Sequence, residues 1–205
     1  MSWQDCLLWI GIAIELVSLV YYIYSIVRGP TRPHPITWAG WTAIGAVGVW
    51  AARSGGAGLG LYIAATFVVV TASIFVISLI PGYGHETDER SPTDPYILAL
   101  GIVLLALRTV GVGEPWLHAT LAVIGDSCFA WFTFRKVIQE PKTEPLWPWV
   151  GATISAALGL VVLGAYNYTA MAYPTYLVVA NAAIAAGILI GRGLQKEPKG
   201  RRKRA

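Results

Sequence analysis

Charge is scarce in this chain: 13% of its 205 residues are Asp, Glu, Lys or Arg, against 56% hydrophobic, and the mean hydropathy is +0.59. That balance excludes a water-soluble domain and points to an integral membrane protein. Cysteine is nearly absent. Cys6 and Cys128 are expected at different depths in separate helices, which excludes a disulfide between them. His34, His85 and His118 fall in loops or at helix ends, and none stands at ligand spacing from a cysteine or a second histidine. No metal is therefore expected. There is no Gly-rich phosphate loop and no nucleophile with a placed histidine, so no enzymatic activity, catalytic residue or cofactor is expected.

Long apolar runs are what the chain does have. They lie at about 7–27, 36–53, 58–80, 95–110, 116–137, 146–166 and 170–191. Each is near the roughly 20 residues that cross a hydrocarbon core of about 30 Å. Lipid offers backbone groups no partners, so the runs should be helices. The opening MSWQDCLLWIGIAIELVSL lacks a basic leader and carries Asp5, and reads as a retained span rather than a cleaved signal peptide.

The stretch from Glu15 to Trp41 recurs, degraded and without a gap, from Asp126 to Ala152. Glu15 pairs with Asp126, Pro30 with Pro141 and Trp38 with Trp149 at one offset of 111 (126 − 15, 141 − 30, 149 − 38), and the same offset pairs Tyr62 with Tyr173. An acid recurring inside an apolar helix marks an internal duplication. The fourth run has no counterpart in either copy. As a single extra crossing it lets two three-helix units enter the membrane with the same orientation. The expected fold is an all-α membrane protein of seven transmembrane helices: two parallel three-helix repeats joined by an inversion-linker helix, arranged 3+1+3. The divisions fall at 1–82 for the first repeat, 83–114 for a loop and the linker helix, 115–192 for the second repeat and 193–205 for a basic tail.

Lys and Arg set the expected orientation. A cytoplasmic tail puts Arg28, Arg32, Arg90, Arg135, Lys136 and Lys142 on the same side as its own seven basic residues, 13 in all, and leaves Arg53 and Arg108 opposite. That is the positive-inside pattern for an N-terminus outside and a C-terminus in the cytoplasm, as in a bacterial inner membrane. The tail reads as a topology signal, so the lipid bilayer is an expected partner and nucleic acid is not.

Polar residues inside the runs are few enough to name. Glu15 lies halfway along the first helix, with Ser18 and Tyr22 three and seven residues on along the same face. Asp126 holds the matching place in the fifth, with Thr133 seven residues on. Asn181 is central in the seventh, and Thr71 is a main polar group of the third. Glu15, Asp126 and Asn181 each lie about 10 or 11 residues from the outer helix ends, near the midplane, where an acid should face the bundle interior. The alternative is that each glues one helix to another by a hydrogen bond. Pro30 and Pro141 begin two turns, PTRPHP and the turn in QEPKTEPLWPW, that no helix can continue through. Trp38, Trp41 and Trp149 follow them, read as an aromatic belt at headgroup depth or as gate residues touching solute. Gly40, Gly45, Gly48, Gly151, Gly159 and Gly164 are expected to let helices approach closely.

Seven spans as three, one and three, a proline-bearing turn and Trp after the first helix of each repeat, and a late central Asn resemble the SWEET and PQ-loop superfamily. The run RGPTRPHPITWAGW, with QEPKTEP and Tyr173-Pro174 before Asn181, is similar more closely to an uncharacterised group of bacterial seven-helix proteins within it. The resemblance implies two bundles that enclose a central pathway and alternate its access, moving sugars, amino acids, vitamin-like compounds or other small polar solutes, passively or with protons. It implies that Asn181 lines the substrate site, with Val70 and Thr71 at the corresponding level. The chain departs from the superfamily in lacking the Pro-Gln dipeptide in both copies and the helix-interior hinge prolines of its sugar-transporting members.

Three functions follow as expectations. The first is a transporter of a small polar solute, in which Glu15 and Asp126 bind a proton or cation while Asn181 and Thr71 bind the solute. The second is a receptor or sorting module on the same scaffold, docking a partner through its basic turns and tail; homo-oligomers are compatible with either. The third, a retinal-bearing photoreceptor, needs a lysine in the last helix, and none stands between Met171 and Ile190.

Overall fold

The computed structural model describes residues 2–54, 60–84, 94–110, 114–163 and 166–196. Among them are seven α-helices, one short 3-10 turn and no strand: α1 (Trp3–Val27), α2 (Pro35–Ser54), α3 (Gly60–Ser78), α4 (Asp94–Thr109), α5 (Pro115–Gln139), α6 (Leu146–Val161) and α7 (Tyr168–Lys196). His85, Arg90 and tail residues 197–205 lie outside the described residues, as do the side chains of Gly48, Arg53 and Arg108 and all of Gly164.

Local chemistry explains the ends. Ser2 and Asp5 close a capping box over the start of α1, at 2.7 and 3.1 Å, satisfying amides that otherwise have no partner. Gly29, at φ +97°, turns the chain out of α1 in a conformation other residues adopt only with strain. Pro115 opens α5 at a first-turn position, where its missing N–H costs nothing. Asn167 caps α7 through the amide of Ala170 at 3.0 Å.

Three segments, Trp3–Val27, Trp116–Gln139 and Tyr168–Gln195, are long and apolar enough to cross a membrane, which is consistent with a membrane protein. Ala65–Ser78, Pro95–Leu107 and Leu146–Val161 are shorter apolar helices. α6 stops at Val161, five residues before the apolar run ends at Tyr166, and α7 continues through Arg192 to Lys196, past its expected end at Ile190 or Gly191. Val17, Val20, Val69, Val76, Ile102 and Val179 point outward and are more than half exposed, the pattern of a bundle whose solvent is lipid.

The helices pack in a regular order. α3 touches both α1 and α2, and α7 touches both α5 and α6. Between these groups α1 lies on α6 and α2 on α5, while α4 packs against α5 and α2. Glycines set the closest approaches: a Cβ at Gly40 of α2 would run into the ring of Phe129 on α5, and one at Gly151 of α6 into the hydroxyl of Ser18 on α1. The two crossings match at the sequence offset, since 40 + 111 = 151 and 18 + 111 = 129. Cys6 and Cys128 are both free.

Candidate functional site

A cavity of about 50 Å³ opens at the centre of the bundle, walled by residues of α1, α2, α3, α5, α6 and α7. Glu15, Ser18 and Tyr22 of α1 line it, with Thr71 of α3, Asp126 of α5 and Asn181 of α7. Trp38, Trp41 and Trp149 line it as well. Space of that size holds a few water molecules. Thr133, Pro30 and Pro141 are not on its wall. Pro30 is exposed at the end of α1, whereas Pro141 is buried against Gly191 of α7.

The belt reading of the tryptophans is corrected by their burial. Trp38, Trp41 and Trp149 are 5%, 6% and 4% exposed and form one aromatic cluster with Tyr22, with indole centroids 5.1 to 6.0 Å apart. The reason lies in helix phase. Trp38, Trp41 and the buried Ile44 follow at three-residue steps along the inward face of α2. Trp147, two residues before Trp149, is the one turned outward at that end.

The two midplane acids differ. Asp126 is buried and accepts from three donors: the Trp41 indole N–H at 3.0 Å, the Tyr173 hydroxyl at 3.0 Å and the Tyr176 hydroxyl at 2.8 Å. Those bonds tie α5 to α2 and α7. Glu15 is half-buried on the cavity wall with the Ser155 hydroxyl beside it, and Ser155 itself donates to the Gly11 carbonyl at 3.0 Å. At the sequence offset of 111 the three donors do not recur. Opposite Trp41, Tyr173 and Tyr176 stand Ala152, Tyr62 and Ala65 (41 + 111, 173 − 111, 176 − 111), and Tyr62 points outward. The donors that clamp Asp126 have no equivalents around Glu15.

Thr71 and Asn181 line the cavity, and the Thr71 hydroxyl and one of the two Asn181 amide N–H groups bond to their own helices. Thr71 donates to the Phe67 and Val68 carbonyls at 3.0 and 3.2 Å, and the Asn181 amide to the Leu177 carbonyl at 2.9 Å. Thr133 is fully buried, and its hydroxyl has no hydrogen-bond partner among the described residues. The Phe129 carbonyl four residues before it takes a bond from Thr37 at 2.9 Å instead.

A second polar centre, unforeseen in the sequence, adjoins the cavity through Tyr22 and Trp149. Glu144 is buried in the turn between α5 and α6 and ion-pairs with buried Lys136. It also accepts from Tyr22 at 2.8 Å to each oxygen, and from the Trp149 indole at 3.2 Å. Lys136 donates in addition to the Arg32 carbonyl, and Arg192 reaches the Glu144 and Pro141 carbonyls at 2.9 and 3.3 Å. Three helices, α1, α5 and α6, meet on one carboxylate. A signal was present in the sequence: an acid eight residues after a lysine, in a turn flanked by prolines.

The same network buries part of the two basic turns, PTRPHP and FRKVIQEPK. Lys136 is buried in an ion pair, Arg32 and Arg135 are half-buried, and Thr31 and His34 are buried, His34 stacked on Phe132 at 5.2 Å. In those turns Pro30, Gln139, Glu140 and Lys142 are exposed.

The arrangement defines a class: a helical bundle with membrane-length helices around a central cavity that holds an acid, with a buried ion pair beside it. Comparisons with family models, curated proteins and solved structures returned no match to the chain.

Proposed function

We propose that the chain is a membrane transporter of a small polar solute, in which the cavity beside Glu15 is the solute site and the Glu144–Lys136 pair closes one end of the pathway. The observation that carries this reading is the convergence of six helices on one cavity whose wall includes an acid without the clamp that locks its counterpart. An acid at membrane depth is costly, and persists where it serves a pathway or a bond; Asp126 has its bonds, and Glu15 has the cavity.

The matched crossings support an arrangement as two parallel three-helix repeats around a linker helix, as in the SWEET and PQ-loop superfamily. α1 on α6 corresponds to α2 on α5, and Gly40 on Phe129 to Gly151 on Ser18. Two similar halves that meet across a central site are suited to rocking about it, opening one end as the other closes. The turns bearing Glu144 and Arg32 then face the cytoplasm of a bacterial inner membrane, by the bias of basic residues. Glu144 and Lys136 are the cytoplasmic latch in this scheme. Opening that end separates Tyr22 of α1 from Glu144, while Asp126 holds α2, α5 and α7 together in both states.

The test is uptake of radiolabelled sugars, amino acids, nucleosides and vitamins into proteoliposomes, with and without an imposed proton gradient. The expected result is saturable uptake of one solute class, lost in Glu15→Gln. Uptake that survives Glu15→Gln unchanged, or none for any solute with the protein folded, overturns the reading.

A further inference from the structure

The chemistry of the cavity wall is one-sided. It carries the acids Glu15 and Asp126, and among its lining residues there is no Lys, Arg or His. Inside a low-dielectric bundle an uncompensated negative charge draws a cation strongly. Asp126 is already surrounded by three donors, so the open acceptor is Glu15.

The remaining wall is aromatic and held in place. Trp38 and Trp41 meet at 90° with centroids 5.1 Å apart, and Trp41 and Trp149 at 65° and 5.8 Å, so the rings form corners rather than a flat stack. The N–H of Trp41 is fixed on Asp126 and that of Trp149 on Glu144, which stops either ring from turning. An indole face is the negative part of the ring quadrupole, and Trp is the strongest of the cation–π partners.

The wall is poorly suited to a sugar. Thr71 and one N–H of Asn181 donate to the carbonyls of their own helices, and Trp41, Trp149 and Tyr22 donate to acids, which leaves the Trp38 indole N–H, the second Asn181 N–H and the Ser18 hydroxyl as the wall's remaining donors. Three donors beside an otherwise apolar and aromatic wall are fewer than a polyhydroxylated solute needs.

We propose that the solute is a small organic cation, a primary or methylated ammonium, held between the Glu15 carboxylate and the indole walls of Trp38, Trp41 and Trp149. This rests on the transport reading and names its substrate class. Glu15 supplies the charge and the tryptophans the fit to the methyl or methylene groups.

The experiment uses the full chain in lipid nanodiscs and measures binding of methylammonium, tetramethylammonium and choline by calorimetry and thermal stabilisation. Beside them are measured 3,3-dimethylbutan-1-ol, the uncharged isostere of choline, and a panel of neutral and anionic solutes. A cation is expected to bind at least about tenfold tighter than the isostere, with about tenfold loss in Glu15→Gln and a larger loss in Trp38→Leu than in Trp38→Phe. The comparison of choline with its isostere on the unaltered protein needs no variant to fold. Equal binding of the two overturns the proposal. Binding of a neutral or anionic solute with no cation bound overturns it and leaves the transport reading standing. A cation that binds as expected but is not taken up by proteoliposomes upholds the proposal and overturns transport.

Discussion

Trp41 donates its indole N–H to Asp126 at 3.0 Å, and the residue standing in the matching place toward Glu15 is Ala152. With the Tyr173 and Tyr176 hydroxyls, that bond separates two acids that stand alike in the sequence: Asp126 fastens helices together, and Glu15 stands on the cavity wall.

Asp126→Asn should therefore destabilise the bundle by about 1–3 kcal/mol, because the amide offers donors where three donors converge. Glu15→Gln should change stability far less, with one hydroxyl beside it. Thermal unfolding of both variants in the same detergent checks this; equal losses would show that the two acids share one structural task.

Breaking the buried ion pair should cost more. Lys136→Met leaves Glu144 charged and buried and is expected to lose about 3–5 kcal/mol, while Lys136→Met combined with Glu144→Leu recovers a large part of that loss. A double-mutant cycle on unfolding free energies gives the coupling. Additive effects would mean that the pair is not a unit.

Gly40→Ala should be overpacked by about 1–3 kcal/mol, since the added methyl meets the Phe129 ring, and Phe129→Leu should relieve part of it. Gly151→Ala should behave alike against Ser18, with relief from Ser18→Ala. Rescue in both pairs, read from thermal unfolding, would tie the two crossings to one geometry; rescue in neither would remove the packing argument for matched halves.

Thr71→Val should leave both stability and solute binding within about 0.5 kcal/mol, because its hydroxyl serves the Phe67 and Val68 carbonyls of the same helix. A binding loss much larger than that would return Thr71 to the solute site.

The helices and much of the cavity wall were legible in the sequence for one physical reason: apolar length fixes a span, and a rare polar residue within it must face inward. Glu15, Asp126 and Asn181 follow from that rule. The roles of the tryptophans did not, because a Trp at a helix start fits a lipid belt or a core equally well, and only the phase of α2 turns Trp38 and Trp41 inward. Glu144 was hidden by its setting. A carboxylate in a charged turn looks solvated until the chain folds Tyr22, Lys136 and Trp149 over it from far positions. The difference between Glu15 and Asp126 was written at the offset of 111 but needed the observed bonds to show which positions mattered.

The most direct measurement is the accessibility of the cavity from the two faces of the membrane, which depends on no knowledge of the solute. In a chain carrying Cys6→Ala and Cys128→Ala, a single Ala180→Cys on the cavity wall is exposed to a membrane-impermeant thiol reagent from one side and then, in separate vesicles, from the other. A pathway with alternating access predicts labelling from both sides. Labelling from one side alone would contradict it and make the cavity a fixed one-sided cleft, and labelling from neither would make it a closed part of a static bundle.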